Sequence, residues 1–331
     1  MNTFSVAGIT VYPFGLCVSA AALFALALAL LFSRGEKAQR EVSFLFLFGL
    51  PLGLLFARLG YCLATLDWVM QEGFLRVFFS TRGGYLCYGA AVGLALGAWC
   101  AGRVCRVSFA RMADTAALPA ALMLALCRLA EGLVGSGYGW SVEEWFMDYN
   151  GMSLVTLEDP SFFCRFPFAV GDMYGQWNWA VFMLEAIMAL VILTVLVRTR
   201  RRTEREGALA IRFLLLYASS QILLESMRQD NVLRFGFVRI NQILSALVLL
   251  ALLVLCALLA GEKRPLPLTA RTAVLFAGAG VVILMEFALE KRISAIEWMT
   301  MDICYAVMAI ACCAMGAAVH GLWKRAFPSR V

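Results

Sequence analysis

Nine long apolar stretches, separated by shorter polar segments, run along almost the whole chain, at residues 12–33, 42–65, 84–102, 112–134, 177–197, 208–227, 240–261, 272–289 and 302–322. About 20 predominantly apolar residues are enough to cross a bilayer as a helix. Lipid offers no partner to a backbone N–H or C=O, so segments of this kind must satisfy their own backbone and are predicted as α-helices. The expected fold class is all-α, a polytopic integral membrane helical bundle of about nine transmembrane helices. Composition agrees, with 62% hydrophobic residues, 15% charged residues and a mean hydropathy of +0.82. An ordinary soluble domain has roughly 45–50% apolar residues.

The polar segments alternate in charge. Arg34, Lys37 and Arg40 follow the first span, and Arg103, Arg106 and Arg111 follow the third. Arg198, Arg200, Arg201, Arg202 and Arg205 follow the fifth, Lys263, Arg264 and Arg271 the seventh, and Lys324, Arg325 and Arg330 the ninth. The positive-inside rule assigns these to the cytoplasm, which sets the N-terminus outside and the C-terminus inside. No basic segment precedes the first span, so it is expected to be a retained helix, not a secretory signal. The opposite side is acidic, chiefly through Glu143, Glu144, Asp148, Glu158, Asp159 and Asp172 in an outer loop over residues 136–176. Its Trp, Phe and Tyr residues suit a partly ordered cap at the membrane–water interface.

The net charge of +6 is therefore a sign of topology. No basic patch interleaved with aromatics suggests nucleic acid. Most of the 11 cysteines lie in or beside spans, and Cys164 has no partner in its loop, so neither a disulfide framework nor a CxxC metal site is expected. No HExxH, GxSxG or P-loop occurs, and no metal or cofactor is expected. The single histidine, His320, stands at the inner end of the last span and reads as an interface residue.

Ionisable residues within spans are costly, by roughly 2.5–3.5 kcal/mol each, and point to function. They are Arg58, Arg128, Glu131, Glu185, Arg212, Glu225, Arg228 and Glu286. Arg58, Arg212 and Arg228 lie near span ends, where snorkelling is the alternative. Arg128 and Glu131 stand three residues apart, on one helix face, and Glu225 and Arg228 repeat that spacing. Each pair is either an internal ion pair that fixes packing or a guanidinium presented to a lipid phosphate, which its planar fork fits. The glycines of Gly135-Ser136-Gly137-Tyr138-Gly139 read first as a helix stop, and Gly278 and Gly280 as sites of close helix packing.

Six short motifs, in order along the chain, resemble those of the prolipoprotein diacylglyceryl transferases, integral enzymes of the bacterial inner membrane. Ala57-Arg58-Leu59-Gly60-Tyr61 is similar to that family's GRxGY. Gly83-Gly84-Tyr85-Leu86-Cys87-Tyr88-Gly89 resembles GGxxxHG, and Cys127-Arg128-Leu129-Ala130-Glu131 resembles the start of GRxGNxxNxE. Leu184-Glu185-Ala186 resembles LEG, Glu225-Ser226-Met227-Arg228-Gln229 resembles ExxRQ, and Asn241-Gln242-Ile243-Leu244-Ser245 resembles GQxLS. The resemblance covers roughly residues 8–260. It implies a seven-helix membrane domain at 1–262, with 263–331 adding two helices and a short cytoplasmic tail.

The resemblance also implies a reaction. The diacylglyceryl group of phosphatidylglycerol passes to the lipobox cysteine of a preprolipoprotein, whose signal peptide is the partner, and glycerol phosphate leaves. On this reading Arg128, Glu131 and Tyr88 are catalytic. Arg58, Gly83, Gly84, Gly139, Glu225, Arg228 and Gln242 bind substrate. Several positions depart from the family pattern: Tyr88 stands for its histidine, Glu131 for an asparagine, Ser136 for a glutamate, Gln221 for a second arginine and Phe14 for a tyrosine, and its HPxQLYE motif is not recognisable. A tyrosine is a poor base at neutral pH. The alternatives are a non-catalytic relative that binds phospholipid or lipoprotein, and an unrelated transporter.

Overall fold

The computed structural model describes residues 4–6, 9–80, 84–146, 163–171, 175–200, 205–229, 234–235, 238–261, 265–290 and 298–328. Among these, nine helices are long and apolar enough to span a membrane. They are α1 (Pro13–Phe32), α2 (Glu36–Ala64), α5 (Cys87–Cys105), α6 (Phe109–Leu133), α8 (Val181–Arg200), α9 (Ala208–Met227), α10 (Ile240–Leu259), α11 (Pro265–Leu289) and α12 (Met301–Ala326). Short helices α3 (Leu66–Glu72), α4 (Phe74–Phe79) and α7 (Val142–Trp145) lie between them. Three antiparallel hairpins complete the described structure: β1–β2 (Phe4–Val6, Ile9–Val11), β3–β4 (Ala169–Gly171, Trp177–Trp179) and β5–β6 (Arg234–Phe235, Val238–Arg239). The chain is thus an all-α polytopic membrane bundle.

Two differences from the sequence expectation stand out. The segment after the second span is not a plain loop but α3 and α4, split at Gly73, whose φ of 87° is open to glycine and costly for other residues. The third span starts at Cys87, not 84. Gly84 is drawn away because its carbonyl accepts a hydrogen bond from Arg58 Nη1 at 3.0 Å.

Packing follows small residues. Gly89, Gly93 and Gly97 form a stripe on α5 against α2, and a Cβ on Gly93 or Gly97 would run into the backbone at Leu52 or Gly49. Such stripes let membrane helices approach closely. Gly278 does likewise, since a Cβ there would lie 2.6 Å from Met315 of α12. Gly280 faces open space, which corrects the expectation that both glycines pack. The largest buried cluster joins α9, α10, α11 and α12 through residues such as Leu215, Ile222, Leu253, Met285, Met308 and Met315. The last two helices are therefore packed into the bundle, not appended to it.

The two ends of the bundle differ in chemistry. At one end Arg200 Nη2 donates to the Phe32 carbonyl at 2.6 Å, and Arg111 pairs with Glu41 at 2.8 Å. The Asp114 carboxylate accepts from the N–H groups of Gly207 and Ala210 at 2.7 and 2.9 Å, capping α9. Arg205 Nη1 reaches the Leu259 and Ala326 carbonyls at 3.1 and 3.0 Å. These contacts gather the arginine-bearing loops at one end. His320 belongs there too, stacked on Trp323. None of the eleven cysteines is in a disulfide.

Candidate active site

The other end of the bundle holds a cluster of buried charges. Near its C-terminus α6 carries Arg128 and Glu131 on one face. The helix then stops at Val134. Gly135 takes a φ of 71°, and the Ser136 N–H returns to the Glu131 carbonyl at 3.1 Å, a glycine-dependent C-terminal cap. The Gly135–Gly139 run is thus the helix stop expected from sequence. It also folds back: Gly139 N–H donates to the Trp179 carbonyl at 2.8 Å. A Cβ on Gly139 would lie 2.6 Å from Val181 and 2.8 Å from the Met227 carbonyl, so only glycine fits.

Three further helices bring polar groups to this face. Arg228 leaves α9 with extended backbone angles, and its side chain turns back into the bundle. Its Nη1 lies 3.0 Å from Glu131 Oε2 and 2.9 Å from Glu185 Oε2. Arg128 Nη1 lies 2.6 Å from Glu131 Oε1, and its Nε lies 3.4 Å from Glu185 Oε2. Two guanidinium groups therefore share two carboxylates. Gln221 Nε2 donates to Glu185 Oε1 at 3.1 Å and to Glu225 Oε2 at 2.8 Å, and Asn241 Nδ2 donates to Glu225 Oε1 at 3.1 Å. All but the half-buried Glu131 and Asn241 are buried.

Tyr88 joins this network at its edge. Its hydroxyl is 2.6 Å from Ser245 Oγ, which in turn donates to the Asn241 carbonyl at 2.6 Å. Its ring lies against Tyr217, 5.7 Å between centroids. A small cavity beside Arg128, lined in part by Glu185, Tyr217 and Gln221, has a volume of about 10 Å³, room for roughly one water molecule. A larger one, of about 500 Å³, lies at the arginine-bearing end beside Trp99, Arg103 and Arg106, away from these groups.

The structure thus brings together Arg128, Glu131, Glu225 and Arg228, with Tyr88 reached through Ser245 and Gly139 packed behind. It does not bring Arg58 or Gly84 to them. Arg58 is 5% exposed and holds the α4–α5 connection, with Nε to the Phe78 carbonyl at 2.9 Å and Nη2 to those of Val77 and Ser80 at 2.5 and 2.7 Å. Gly84 serves as one of its acceptors. Gly83 lies outside the described residues, as do Asp148, Glu158, Asp159 and Asp172 of the outer loop. Gln242 turns toward the added helices, and its Nε2 donates to Glu286 Oε1 of α11 at 2.6 Å. The snorkelling reading fits neither Arg58 nor Arg228, because both are buried and directed inward.

Glu185, a candidate only as an ionisable residue within a span, completes the network with Gln221, Asn241 and Ser245, which were not expected among the site residues. Glu185 carried a signal, a lone carboxylate in an apolar helix. Gln221 stands four residues before Glu225, hence on the same helix face. Among the described residues no group of histidine, cysteine and carboxylate side chains is arranged to hold a metal ion.

Chemically, the site sets two guanidinium groups among three carboxylates, Glu131, Glu185 and Glu225, inside a mostly apolar bundle. That arrangement suits stabilising an anionic leaving group while a neighbouring carboxylate takes a proton. The chain is similar to known proteins. The sequence model of the prolipoprotein diacylglyceryl transferase family matches residues 2–258. The phosphatidylglycerol–prolipoprotein diacylglyceryl transferase of Listeria innocua is 25% identical over 248 residues, 74% of this chain and 84% of the relative. The enzyme of that name from Halalkalibacterium halodurans is 27% identical over 208 residues, 62% of this chain and 67% of the relative. The one from Bacillus velezensis is 24% identical over 256 residues, 76% and 89% of the two chains.

Proposed function

The chain belongs to the prolipoprotein diacylglyceryl transferase family, and we propose that it moves the diacylglyceryl group of phosphatidylglycerol to the cysteine thiol of a prolipoprotein. The observation that carries this reading is the meeting of Arg128 and Arg228 at Glu131 and Glu185. In the reaction a C–S bond forms to the glyceryl carbon, and the C–O bond to phosphate breaks. The electron pair leaves with glycerol phosphate, and the thiol proton must go to a base. A thiol is nucleophilic only as thiolate.

The residues divide that work. Arg128 and Arg228 take the phosphate, trading one carboxylate partner for it, since planar guanidinium forks bind phosphate as they bind carboxylate. Glu131, the least buried of the carboxylates that hold them, is the one released and accepts the thiol proton. Glu225, Gln221 and Asn241 hold Glu185 in place. Tyr88 orients the network through Ser245, a positioning part, since a phenol is a poor proton acceptor at neutral pH. Gly139 allows the close backbone packing that sets Arg228. Arg58 and Gly84 shape the loop beside the third span. Glu286 holds Gln242.

The acceptor is a prolipoprotein presented by its signal peptide, and the protein spans a bacterial plasma membrane with its N-terminus outside. The arginine-bearing end then faces the cytoplasm and the site faces the outer leaflet. Residues 1–262 form the transferase unit with its outer loop at 136–176, and 263–331 supply the two further helices and tail.

One observation favours a second reading, a relative that binds phospholipid or lipoprotein without turnover. Arg128 is 8% exposed, its Nη1 and Nε already face Glu131 and Glu185, and the cavity beside it is small. Expression in cells depleted of their own transferase decides between the two. A reporter lipoprotein that gains diacylglycerol supports the enzyme. Phosphatidylglycerol that copurifies with the protein while the reporter stays unmodified supports the binder.

A further inference from the structure

Arg239 differs from the other buried arginines at this end of the bundle. It is 3% exposed, and its Nη1 has no hydrogen-bond partner among the described residues. Arg128 and Arg228 each grip two carboxylates. Glu225 and Glu286 attract Arg239 electrostatically, but neither forms an ion pair with it, and their oxygens are held by neutral amides, Glu225 by Gln221 and Asn241 and Glu286 by Gln242. None of the ion pairs among the described residues includes it.

Its position compounds the cost. Arg239 caps the N-terminus of the 20-residue helix α10, whose first turn holds no acidic residue. That end of a helix is positive and disfavours a cation. Arg234 stands opposite it in the β5–β6 hairpin, adding positive charge to the same ribbon. A guanidinium withdrawn from water without a bonded anion costs several kcal/mol. An anion that supplies the missing acceptors removes that cost, and the adjoining helix N-terminus favours the same ligand.

We propose that Arg239 and the start of α10 form a subsite for a phosphate ester of glycerol, carried by the lipid donor or released from it. The proposal rests on the transferase reading only for the identity of the ester. Asn241, two residues along, bonds Glu225, which shares Gln221 with Glu185. The subsite thus adjoins the Arg128–Arg228 network without belonging to it.

The test compares wild type with Arg239→Met in phosphatidylcholine nanodiscs, with phosphatidylglycerol or glycerol phosphate added in separate arms. An unpaired buried charge replaced by an apolar chain of similar length raises the melting temperature. Arg239→Met is therefore expected to melt above wild type in phosphatidylcholine alone. Wild type is expected to gain stability from at least one added ester, and the variant from neither. Response to the lipid assigns the subsite to the donor, and response to glycerol phosphate alone assigns it to the leaving group. Where the lipid is the ester that responds, KM for phosphatidylglycerol is expected to rise about tenfold, equivalent to about 1.4 kcal/mol, with KM for the acceptor peptide unchanged.

Equal responses of the two proteins to both esters overturn the subsite. So does an Arg239→Met protein that fails to fold, because the charge is then compensated inside the protein. Wild type that transfers nothing, yet loses its ester response on substitution, keeps the subsite and sinks the transferase reading. Transfer by a variant that keeps both the wild-type KM and the wild-type ester responses does the reverse.

Discussion

Arg228 Nη1 lies 2.9 Å from Glu185 Oε2, joining the end of α9 to the start of α8. Both side chains are buried, and Arg128 approaches the same oxygen at 3.4 Å. A buried ion pair is a poor source of stability compared with apolar packing, but breaking one side of it is expensive. The network therefore reads as machinery that the bundle tolerates.

That logic separates folding from function. Arg228→Met takes the closer cation from Glu185, leaving it Arg128 at 3.4 Å and the Gln221 amide, and is expected to cost about 3 kcal/mol. Adding Glu185→Leu restores most of the loss but leaves transfer undetectable. Thermal unfolding in nanodiscs beside a transfer assay checks both halves. Recovery of activity in the double variant would count against a chemical role for the pair.

Tyr88→Phe removes one buried hydrogen bond, to Ser245. Hydrogen bonds between membrane helices are worth about 0.6 kcal/mol on average, so stability should hardly move. A positioning role is expected to lower kcat several-fold at unchanged KM for the lipid. A kcat equal to wild type would leave Tyr88 a packing residue.

The added helices touch the site directly. Tyr305 of α12 accepts from Trp140 Nε1 at 2.8 Å and donates to the Ser226 carbonyl at 3.1 Å, between Glu225 and Arg228 in sequence. Glu286→Ala leaves the Gln242 amide short of an acceptor, and Tyr305→Phe frees Trp140. Each is expected to cost about 1–3 kcal/mol, the penalty of an unsatisfied buried group. Chemical denaturation of both variants checks this, and two neutral outcomes would mean that α11 and α12 pack without supporting the site.

Arg58 gives a contrasting expectation. It serves four carbonyls around the α4–α5 connection. Lysine cannot reproduce that fork, so Arg58→Lys should destabilise nearly as much as Arg58→Ala, with little change in phosphatidylglycerol affinity. A lysine variant with full stability but weakened lipid binding would instead assign Arg58 to the substrate.

The spans were legible because hydropathy alone fixes them, and the helix stop at Gly135 was legible because glycine marks it. Arg128 and Glu131 were legible as a pair because one helix holds both. Arg228 was only half legible: its spacing from Glu225 suggested one helix face, yet it leaves the helix and reaches Glu131 from outside it. The partners of Glu185 were hidden, since a lone carboxylate in an apolar helix carries no mark of which neighbouring helix will meet it. Arg58 was hidden for another reason: its acceptors are backbone carbonyls, which every residue has. The β5–β6 hairpin and α3 and α4 were too short for any periodicity to show.

Purified protein in nanodiscs, given phosphatidylglycerol and a lipobox peptide, offers the most direct test, read as peptide mass. Wild type is expected to add one diacylglyceryl group per cysteine, and Arg128→Gln and Arg228→Gln, each shown to be folded, to add none. Wild type that leaves the peptide unchanged, or either variant that modifies it at the wild-type rate, would contradict the assignment of the two arginines to the transfer reaction.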